Sequence, residues 1–409
     1  MRLIIKKFSC IESADIHFKD YTVFIGEQAS GKSITCKLYF FLRDTVSRRI
    51  VLSLAEDESW EFFAAKMQGE FYSIFPEYSW HGSDFSVRLL DEAGDAIISI
   101  AHKAKTLFIS LEFSEEIKSI YYAAQAKYRQ TILESQGRQV QLFLSSMAFS
   151  AFDSECKNRQ RQYLNESITY IPSGRSFFST LQNNVFGLLS ENIPFDPFLK
   201  LFGGWYEKSK NVNVSMNAIR RAMLASENKE PANFDKIADF DRLSGIILKG
   251  HYQSKNNEDW LVAPDEREVK VFNASSGQQE SLPVILVLRA LQLNPSGFST
   301  GAILVEEPEA HLFPSSQKAM IELLFLASTM GAKPKLILTT HSPYVLTCAN
   351  NELLKINGEP GAKISAYYLA GGKAYDIVDK TSGLIDGTEL DKISTEIAEE
   401  FYAALESAQ

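Results

Sequence analysis

A run of residues near the start of the chain has the types and spacing of a phosphate-binding loop, G-x-x-x-x-G-K-[ST]. It reads Gly26-Glu27-Gln28-Ala29-Ser30-Gly31-Lys32-Ser33, followed by Ile34. The two glycines allow the backbone to turn so that successive N–H groups point at phosphate oxygens. The Lys32 ammonium can reach the β- and γ-phosphates of a nucleotide, and the Ser33 hydroxyl can ligate Mg²⁺. The run therefore predicts a site for a nucleoside triphosphate with Mg²⁺.

The segments on either side of this loop are those that a P-loop requires. The apolar run 21–25 predicts a buried strand before the loop, and residues 34–42 predict a helix after it. The N-terminus of that helix would add its partial positive charge to the phosphate site. Tyr21 has two open interpretations, an aromatic ring that stacks on adenine or an aromatic residue of the core.

Polar side chains also follow two apolar stretches further along the chain. Residues 302–305 predict a buried strand that ends in EEPEAH, beginning at Glu306. Residues 335–338 predict another strand, which ends in TTHSP and so in His341. Because the carboxyl ends of parallel strands share one edge of a sheet, we expect Glu306, Glu307 and His341 to face the P-loop.

Two turns carry further groups that bind anions. The sequence SSGQQ, beginning at Ser275, opens an apolar helix predicted over 282–293, where backbone N–H groups and hydroxyls could hold a phosphate. Pro283 should kink that helix or mark its first turns. The strand predicted over 167–171 leads into PSGRS, which contains Arg175. Arg175 has two open interpretations, a cation for a phosphate or a neighbouring subunit, or the partner of a nearby carboxylate.

The composition limits the classes of protein to which the chain can belong. Its 409 residues, 45% hydrophobic and 23% charged, fit one large α/β domain with an insertion, or two domains. The net charge of −9 does not favour nucleic acid, so Arg43, Arg48 and Arg49 are expected to form a solvated face rather than a DNA contact. The sequence contains no run of about 20 apolar residues, so no membrane helix is predicted. The widely spaced cysteines favour buried thiols in a reducing cytoplasm.

The remaining segments predict an insertion and a small meander. Residues 85–90 and 96–101 form a hairpin signal around a Gly/Asp turn. Residues 114–164 predict a compact helical lobe with a capped start at Ser114. Three short strands are predicted at 245–253, 260–263 and 268–272.

The order P-loop, SSGQQ, EEPEAH and TTHSP resembles that of the ABC-type ATPases of the OLD and RecF-like branch, relatives of chromosome-maintenance ATPases. PSGRS also resembles an element of that family. The resemblance implies an α/β P-loop NTPase fold, an ABC-type ATPase head with a mixed sheet, an antiparallel β lobe and an inserted helical lobe. The implied divisions are the N-terminal part of the head at 1–50, the hairpin and helical lobe at 51–165, the C-terminal part of the head at 166–380 and a C-terminal helix at 381–409.

The resemblance also implies roles for the matched residues. Ser33 and Glu306 would hold Mg²⁺, Glu307 would be the general base that activates water, and His341 would contact the γ-phosphate. The residues that would bind ATP are Gly26, Glu27, Gln28, Ala29, Ser30, Gly31, Lys32, Ser33 and Ile34.

The turn of Ser275, Ser276, Gly277 and Gln278, called the signature turn below, implies self-association. In the family, Ser275, Ser276, Gly277 and Gln278 would contact the nucleotide bound to the opposite subunit, so a homodimer or a higher even-numbered oligomer is expected. Gln182 is the candidate for the family's Q-loop glutamine.

The resemblance leaves three functions open. In the first, ATP-driven association controls a separately encoded effector such as a nuclease or toxin, as in two-gene anti-phage systems of the PARIS and Septu types. The effector or trigger would contact the helical lobe, about 114–165, and the segment around Arg175. The second is a RecF-like DNA-repair ATPase, which the net charge of −9 and the lack of long heptad arms disfavour. The third is a transporter's nucleotide-binding subunit, which the inserted lobe disfavours. We expect the first, in the cytoplasm and without a membrane partner.

Overall fold

One mixed sheet carries the residues that the sequence singles out. The computed structural model describes residues 1–104, 106, 108–135, 140–181, 196–210, 232–255, 258–293, 300–331, 333–356 and 360–407. The strands are β1 (Arg2–Phe8), β2 (Ile11–His17), β3 (Tyr21–Gly26), β4 (Phe85–Leu90), β5 (Ala96–His102), β6 (Ser110–Phe113), β7 (Ser167–Ile171), β8 (His251–Lys255), β9 (Glu258–Val262), β10 (Glu268–Lys270), β11 (Thr300–Glu306), β12 (Lys335–Thr340), β13 (Ile364–Ala370) and β14 (Lys373–Asp376). The helices are α1 (Lys32–Asp44), α2 (Ile50–Ala55), α3 (Trp60–Ile74), α4 (Glu115–Glu134), α5 (Val140–Asn158), α6 (Ser176–Leu181), α7 (Pro197–Lys210), α8 (Ala232–Leu248), α9 (Ser276–Leu293), α10 (Pro314–Ser328), α11 (Pro343–Lys355), α12 (Pro360–Lys363) and α13 (Thr388–Ser407).

The sheet has 11 strands in the order β6-β5-β4-β1-β2-β14-β13-β3-β12-β11-β7. The strands from β6 to β2 are antiparallel neighbours, whereas β13, β3, β12, β11 and β7 all run parallel. The loops that follow β3, β12, β11 and β7 therefore gather at one edge of the sheet. The predicted α/β class with a large mixed sheet is confirmed.

The parallel strands are buried on both faces, which explains their continuous apolar sequences. Every residue of β3 is buried. Along β11, Leu304 packs into the core on one face, and Ile303 and Val305 pack into the core on the other. The neighbouring strand β12 alternates in the same way, with Ile337 on the first face and Leu338 on the second. The strands whose ends carry the site are therefore held in the core on both faces.

The helix predicted over 34–42 is confirmed, and the segment that follows it departs from regular α-helical geometry. Helix α1 ends at Asp44, and Thr45–Arg49 form a π-helical turn before α2 begins. Within that turn the Ser47 hydroxyl donates to the carbonyl of Arg43 at 2.7 Å. Such a side-chain bond competes with the regular backbone ladder and often bends a helix.

The prediction that the arginines of this segment form a solvated face is wrong for Arg43. Its side chain is buried, and its guanidinium donates to the carbonyls of Tyr163 and Glu166 at 2.9 Å. Arg48 and Arg49 are half-buried and pair with a carboxylate of α1. All three cations already have partners within the chain.

The strand predicted over 245–253 is wrong in its first half. Helix α8 continues to Leu248, because Ile247 and Leu248 belong to the buried face of that helix. The chain then reverses at Lys249, which has a φ of 53°, and β8 begins at His251. The hairpin of β4 and β5 and the meander of β8, β9 and β10 are confirmed.

The inserted segment is continuous with the N-terminal strands. Strand β4 pairs with β1, so β4, β5 and β6 extend the main sheet, and the predicted divisions of the chain stay predictions. Ser114 caps α4 as predicted, since its hydroxyl accepts from the N–H of Ile117 at 3.3 Å. Cys36 and Cys156 are buried as expected, whereas Cys10 is exposed. Among the described helices, none is long and apolar enough to cross a membrane.

Candidate functional site

The P-loop joins the carboxyl end of β3 to the start of α1. Gly31 precedes the helix with a φ of 102°, a conformation that favours glycine. A Cβ placed on Gly26 would lie 2.3 Å from the carbonyl oxygen of Leu369 on β13. The predicted strand–loop–helix arrangement is present, and packing as well as conformation requires its two glycines.

Lys32 turns back into the loop that precedes it. Its Nζ donates to the carbonyls of Gly26 and Glu27, each at 2.7 Å, and only 5% of the residue is exposed. Burial lowers the pKa of Lys32, and the nearby carboxylates, first among them Glu307, oppose that shift. The loop thus holds a cation largely removed from water, which could exchange carbonyl oxygens for phosphate oxygens.

Glu306 is the last residue of β11 and is buried. One carboxylate oxygen, Oε2, accepts from the N–H of Ser173 at 3.3 Å. The other, Oε1, is buried and makes no well-aligned hydrogen bond among the residues that the structure describes, and the buried Tyr170 hydroxyl, which is unpaired in the same way, lies beside the Glu306 carboxylate. An unsatisfied buried polar group costs about 1–3 kcal/mol, so this oxygen needs a partner, which the Tyr170 hydroxyl, a metal-bound water or the metal itself could supply.

The donor set fits Mg²⁺ when phosphate completes it. Carboxylate and hydroxyl oxygens such as those of Glu306 and Ser33 are ligands of hard cations. The described part of the chain contains no cluster of three or more His, Cys, Asp or Glu side chains that could hold a metal ion. Protein sites that bind Mg²⁺ through one or two side chains commonly rely on substrate phosphates and water for the rest.

Glu307 adopts a strained backbone at the tip of β11. Its φ of 43° lies in the left-handed region, which costs a non-glycine residue about 1–2 kcal/mol. Its N–H donates to the carbonyl of Thr339 at 3.0 Å and lies 3.2 Å from the Thr339 hydroxyl. Its carboxylate is 35% exposed, and its Oε1 lies 3.7 Å from Nε2 of His341. The side chain is therefore open to water and next to the imidazole.

Glu309 is a site residue that the sequence analysis missed. It is buried, and its Oε1 accepts from the Thr340 hydroxyl at 2.7 Å and from the N–H of His341 at 2.8 Å. Burial raises the pKa of Glu309, and these hydrogen bonds oppose the shift. Its place as the third acid of EEPEAH was the available signal. Glu309 fixes the backbone from which His341 projects.

Arg175 is fully buried, which corrects its interpretation as a phosphate or interface arginine. Its guanidinium donates to the carbonyls of Pro172, Glu306 and Glu307 at 2.8, 2.6 and 3.0 Å. It also lies 3.4 Å from the Glu280 carboxylate. The alternative, a partner for a nearby carboxylate, is therefore the observed one. The turn after β7 folds inward because these carbonyls need donors.

The signature turn opens α9 at Ser276, earlier than the predicted 282. The Gln278 side chain accepts from the N–H and hydroxyl of Ser275 at 3.1 and 3.0 Å, an arrangement similar to a capping box. Ser275 and Ser276 are exposed, whereas Gly277 is buried. A Cβ on Gly277 would lie 2.6 Å from the carbonyl oxygen of His311. The turn thus packs on the loop after β11 while its serines face solvent.

Two other sequence candidates lie away from these contacts. Tyr21 is buried and stacks on Phe325 with ring centroids 4.7 Å apart, so its core interpretation is the observed one. Gln182 falls outside the described residues. The site therefore consists of the P-loop, the tip of β11 and His341 at one sheet edge, with Glu309 and Arg175 behind them.

Comparison with known proteins gives a family match to part of the chain. Residues 206–346 match the model of the AAA ATPase domain. That range includes the signature turn, Glu306, Glu307 and His341, and it does not include the P-loop. The chain also shares 31% identity over 109 residues with the Retron Vc95 probable ATPase of Vibrio cholerae serotype O1 biovar El Tor. That alignment covers 25% of this chain and 20% of the relative.

Solved structures of SMC head domains are also similar to this chain. The SMC head domain from Thermotoga maritima is 13% identical with a TM-score of 0.36, covering 92% of this chain and 97% of that one. The Smc head domain with an extended coiled coil, bound to the C-terminal domain of ScpA and derived from Pyrococcus furiosus, is 14% identical with a TM-score of 0.40, covering 97% and 98%. The family model alone shows that residues 206–346 are similar to the AAA ATPase domain.

Proposed function

We propose that this chain binds ATP with Mg²⁺ and hydrolyses it, and that nucleotide-dependent pairing of two copies controls a separately encoded effector in anti-phage defence. The observation that carries the ATPase part is the meeting of four features at the carboxyl edge of β3, β12 and β11. These features are the buried Lys32 ammonium, the buried Glu306 carboxylate, the partly exposed Glu307 carboxylate and the adjacent His341 imidazole.

Each side chain has one task in the proposed reaction. The P-loop N–H groups and Lys32 would bind the β- and γ-phosphates. Ser33 and Glu306 would hold Mg²⁺, which neutralises phosphate charge when bound. Glu307 would accept a proton from the attacking water, and His341 would contact the γ-phosphate. The exposure of Glu307 supports this role, because a general base must reach the water from which it takes the proton.

The regulatory part rests on the exposed signature turn and on the relative. Ser275 and Ser276 face solvent at the start of α9, where a second copy could present its nucleotide. A ligand bound between two subunits shifts their association by its differential affinity for the paired state. The likeness to the probable ATPase of a retron supports a role with further components. Large apolar side chains that are exposed on the helical lobe support a partner surface there: Tyr122, Leu133, Phe143 and Phe149.

The test has a biochemical and a cellular arm. Purified chain should release phosphate from ATP–Mg²⁺, and Glu307→Gln should bind ATP without releasing phosphate. In cells, phage protection should require both Lys32 and the adjacent effector gene. Protection by this chain alone, or strong stimulation of the ATPase by DNA ends with no protein partner, would favour the RecF-like repair alternative instead. The ion-paired state of Arg48 and Arg49 disfavours that alternative.

A further inference from the structure

The buried pair Arg175–Glu280 fastens the turn after β7 to helix α9. Both residues are sealed from solvent, at 0% and 3% exposure. Nε of Arg175 donates to the backbone carbonyl of Glu280 at 3.1 Å. In return, the Glu280 carboxylate accepts from the backbone N–H groups of Arg175 and Ser176, each at 3.1 Å. The turn and the helix are thus linked in both directions.

The other end of the guanidinium faces the catalytic strand. Nη1 donates to the carbonyl of Glu306 at 2.6 Å, and Nη2 donates to the carbonyl of Glu307 at 3.0 Å. The planar guanidinium holds its donors in a fixed fork, so the two carbonyls are set relative to each other. A non-glycine residue with a left-handed backbone conformation, such as Glu307, keeps that conformation only when its surroundings determine it. Arg175 holds Glu307 at its carbonyl while Thr339 holds it at its N–H.

Pro283 lies inside α9, three residues after Glu280. Because proline has no N–H, it cannot bond the carbonyl of Gln279, four residues earlier. The Ser179 hydroxyl donates to that carbonyl at 3.1 Å instead. The guanidinium of Arg175 donates to the next carbonyl, that of Glu280. The signature turn lies about one helical turn before Glu280. Glu280 therefore lies next to the signature turn in α9 and also bonds Arg175, which holds the backbone of Glu307.

We propose that Arg175 and Glu280 are positioning residues that hold Glu307 in its working orientation and couple it to the signature turn. This inference rests on the proposed ATPase function. Arg175 acts through the backbone of Glu307 and not through the nucleotide. When the signature turn of one copy meets the nucleotide of another, any shift of α9 reaches the base of its own chain through this pair. A buried ion pair by itself is weak evidence for stability, whereas the bond from Arg175 to the backbone carbonyl of the strained residue Glu307 gives this pair a specific task.

The experiment compares Arg175→Lys, Glu280→Gln and the double variant, with Ile120→Ala as a control. Lysine keeps the charge but cannot hold both carbonyls in one fork, and glutamine keeps the shape of Glu280 without its charge. Ile120 is buried in the helical lobe, so its truncation lowers stability at a distance from the site. Each protein is measured for kcat, for the Kd of ATP–Mg²⁺ and for Tm.

A positioning role predicts a loss of kcat on the order of 10- to 100-fold with an almost unchanged Kd, because a small misplacement of a catalytic group costs that much. The double variant should be no slower than the slower single variant, since the pair acts as a unit. A wild-type kcat in both single variants would overturn the inference. So would a kcat that falls only in step with Tm, as in Ile120→Ala. A wild-type chain that binds ATP without hydrolysing it would instead overturn the proposed function.

Discussion

Oε1 of Glu307 lies 3.7 Å from Nε2 of His341, and the two side chains are 35% and 32% exposed. They project from the ends of neighbouring parallel strands, β11 and β12, whose tips are joined by the bond from the Glu307 N–H to the Thr339 carbonyl. A carboxylate and an imidazole this close can share one water molecule or one phosphate oxygen. The pair therefore defines where the attacking water and the γ-phosphate meet in the proposed reaction.

Replacing Glu307 with glutamine should separate binding from hydrolysis. Glutamine has nearly the same shape but cannot accept the proton of the attacking water, so kcat should fall by about 10²–10⁴. The Kd of ATP–Mg²⁺ should stay close to the wild-type value. Phosphate release and the binding of a fluorescent ATP analogue measure the two quantities. Hydrolysis at the wild-type rate would remove Glu307 from the role of base.

Replacing Lys32 with alanine should abolish the stabilisation that nucleotide confers. The wild-type chain at a ligand concentration of 100 times its Kd should gain about 2.7 kcal/mol against unfolding. Lys32→Ala loses the cation that bonds the P-loop carbonyls and would bond phosphate, so its Tm should not move when ATP–Mg²⁺ is added. Glu307→Gln is the matched control, because it removes the base and leaves the P-loop intact. An equal shift in wild type and Lys32→Ala would contradict the assignment.

Glu309 should act on the reaction through His341. Glu309→Ala leaves the His341 N–H and the Thr340 hydroxyl without their acceptor, which should cost about 1–3 kcal/mol of stability and lower kcat. Glu309→Gln retains one acceptor oxygen, so it should keep most of the stability and most of the kcat of the wild type. Thermal unfolding and phosphate release of the two variants check this difference. Equal losses in the two variants would show that the acceptor oxygen is not what matters.

The same residue sets a dependence of stability on pH. The pKa of Glu309 is raised above 4.5 by burial, so the folded state binds its proton more tightly than the unfolded state does. Its contribution to stability is therefore full below about 4.5 and is lost as the pH rises through the raised pKa. Subtracting the Tm profile of Glu309→Gln from that of the wild type should isolate this fall. A difference that grows with rising pH would contradict the sign.

The sequence was sufficient to predict the positions of groups that follow from motif and chain order, and insufficient for groups whose positions depend on long-range contacts. The P-loop and the tips of β11 and β12 follow from apolar runs that end in Gly, Glu and His. Arg175 could not be placed, because its partner Glu280 lies 105 positions away in the chain and only the fold brings them together. The sequence does not single out Glu309, because one of the groups it binds is the backbone N–H of His341, which no motif reveals. The end of α8 was missed because a buried helical turn and a buried strand have the same short apolar sequence.

The signature turn offers a way to disrupt the proposed contact between two copies. Ser276 is exposed at the start of α9, whereas Gly277 has no room for a side chain beneath the carbonyl of His311. Ser276→Arg should therefore leave the Tm of the free chain unchanged and prevent the assembly that Glu307→Gln forms with ATP–Mg²⁺. Gly277→Ala should lower the Tm as well, by displacing the loop after β11, so it cannot isolate the interface.

Light scattering with ATP–Mg²⁺ tests this difference in the Glu307→Gln background. The parent should be a dimer or a higher even-numbered assembly, and the variant that also carries Ser276→Arg should stay a monomer with ATP bound. A monomeric parent would contradict the paired site, because one chain could not then bring a signature turn to the nucleotide of another. An assembly unaffected by Ser276→Arg would place the contact between copies on a different surface.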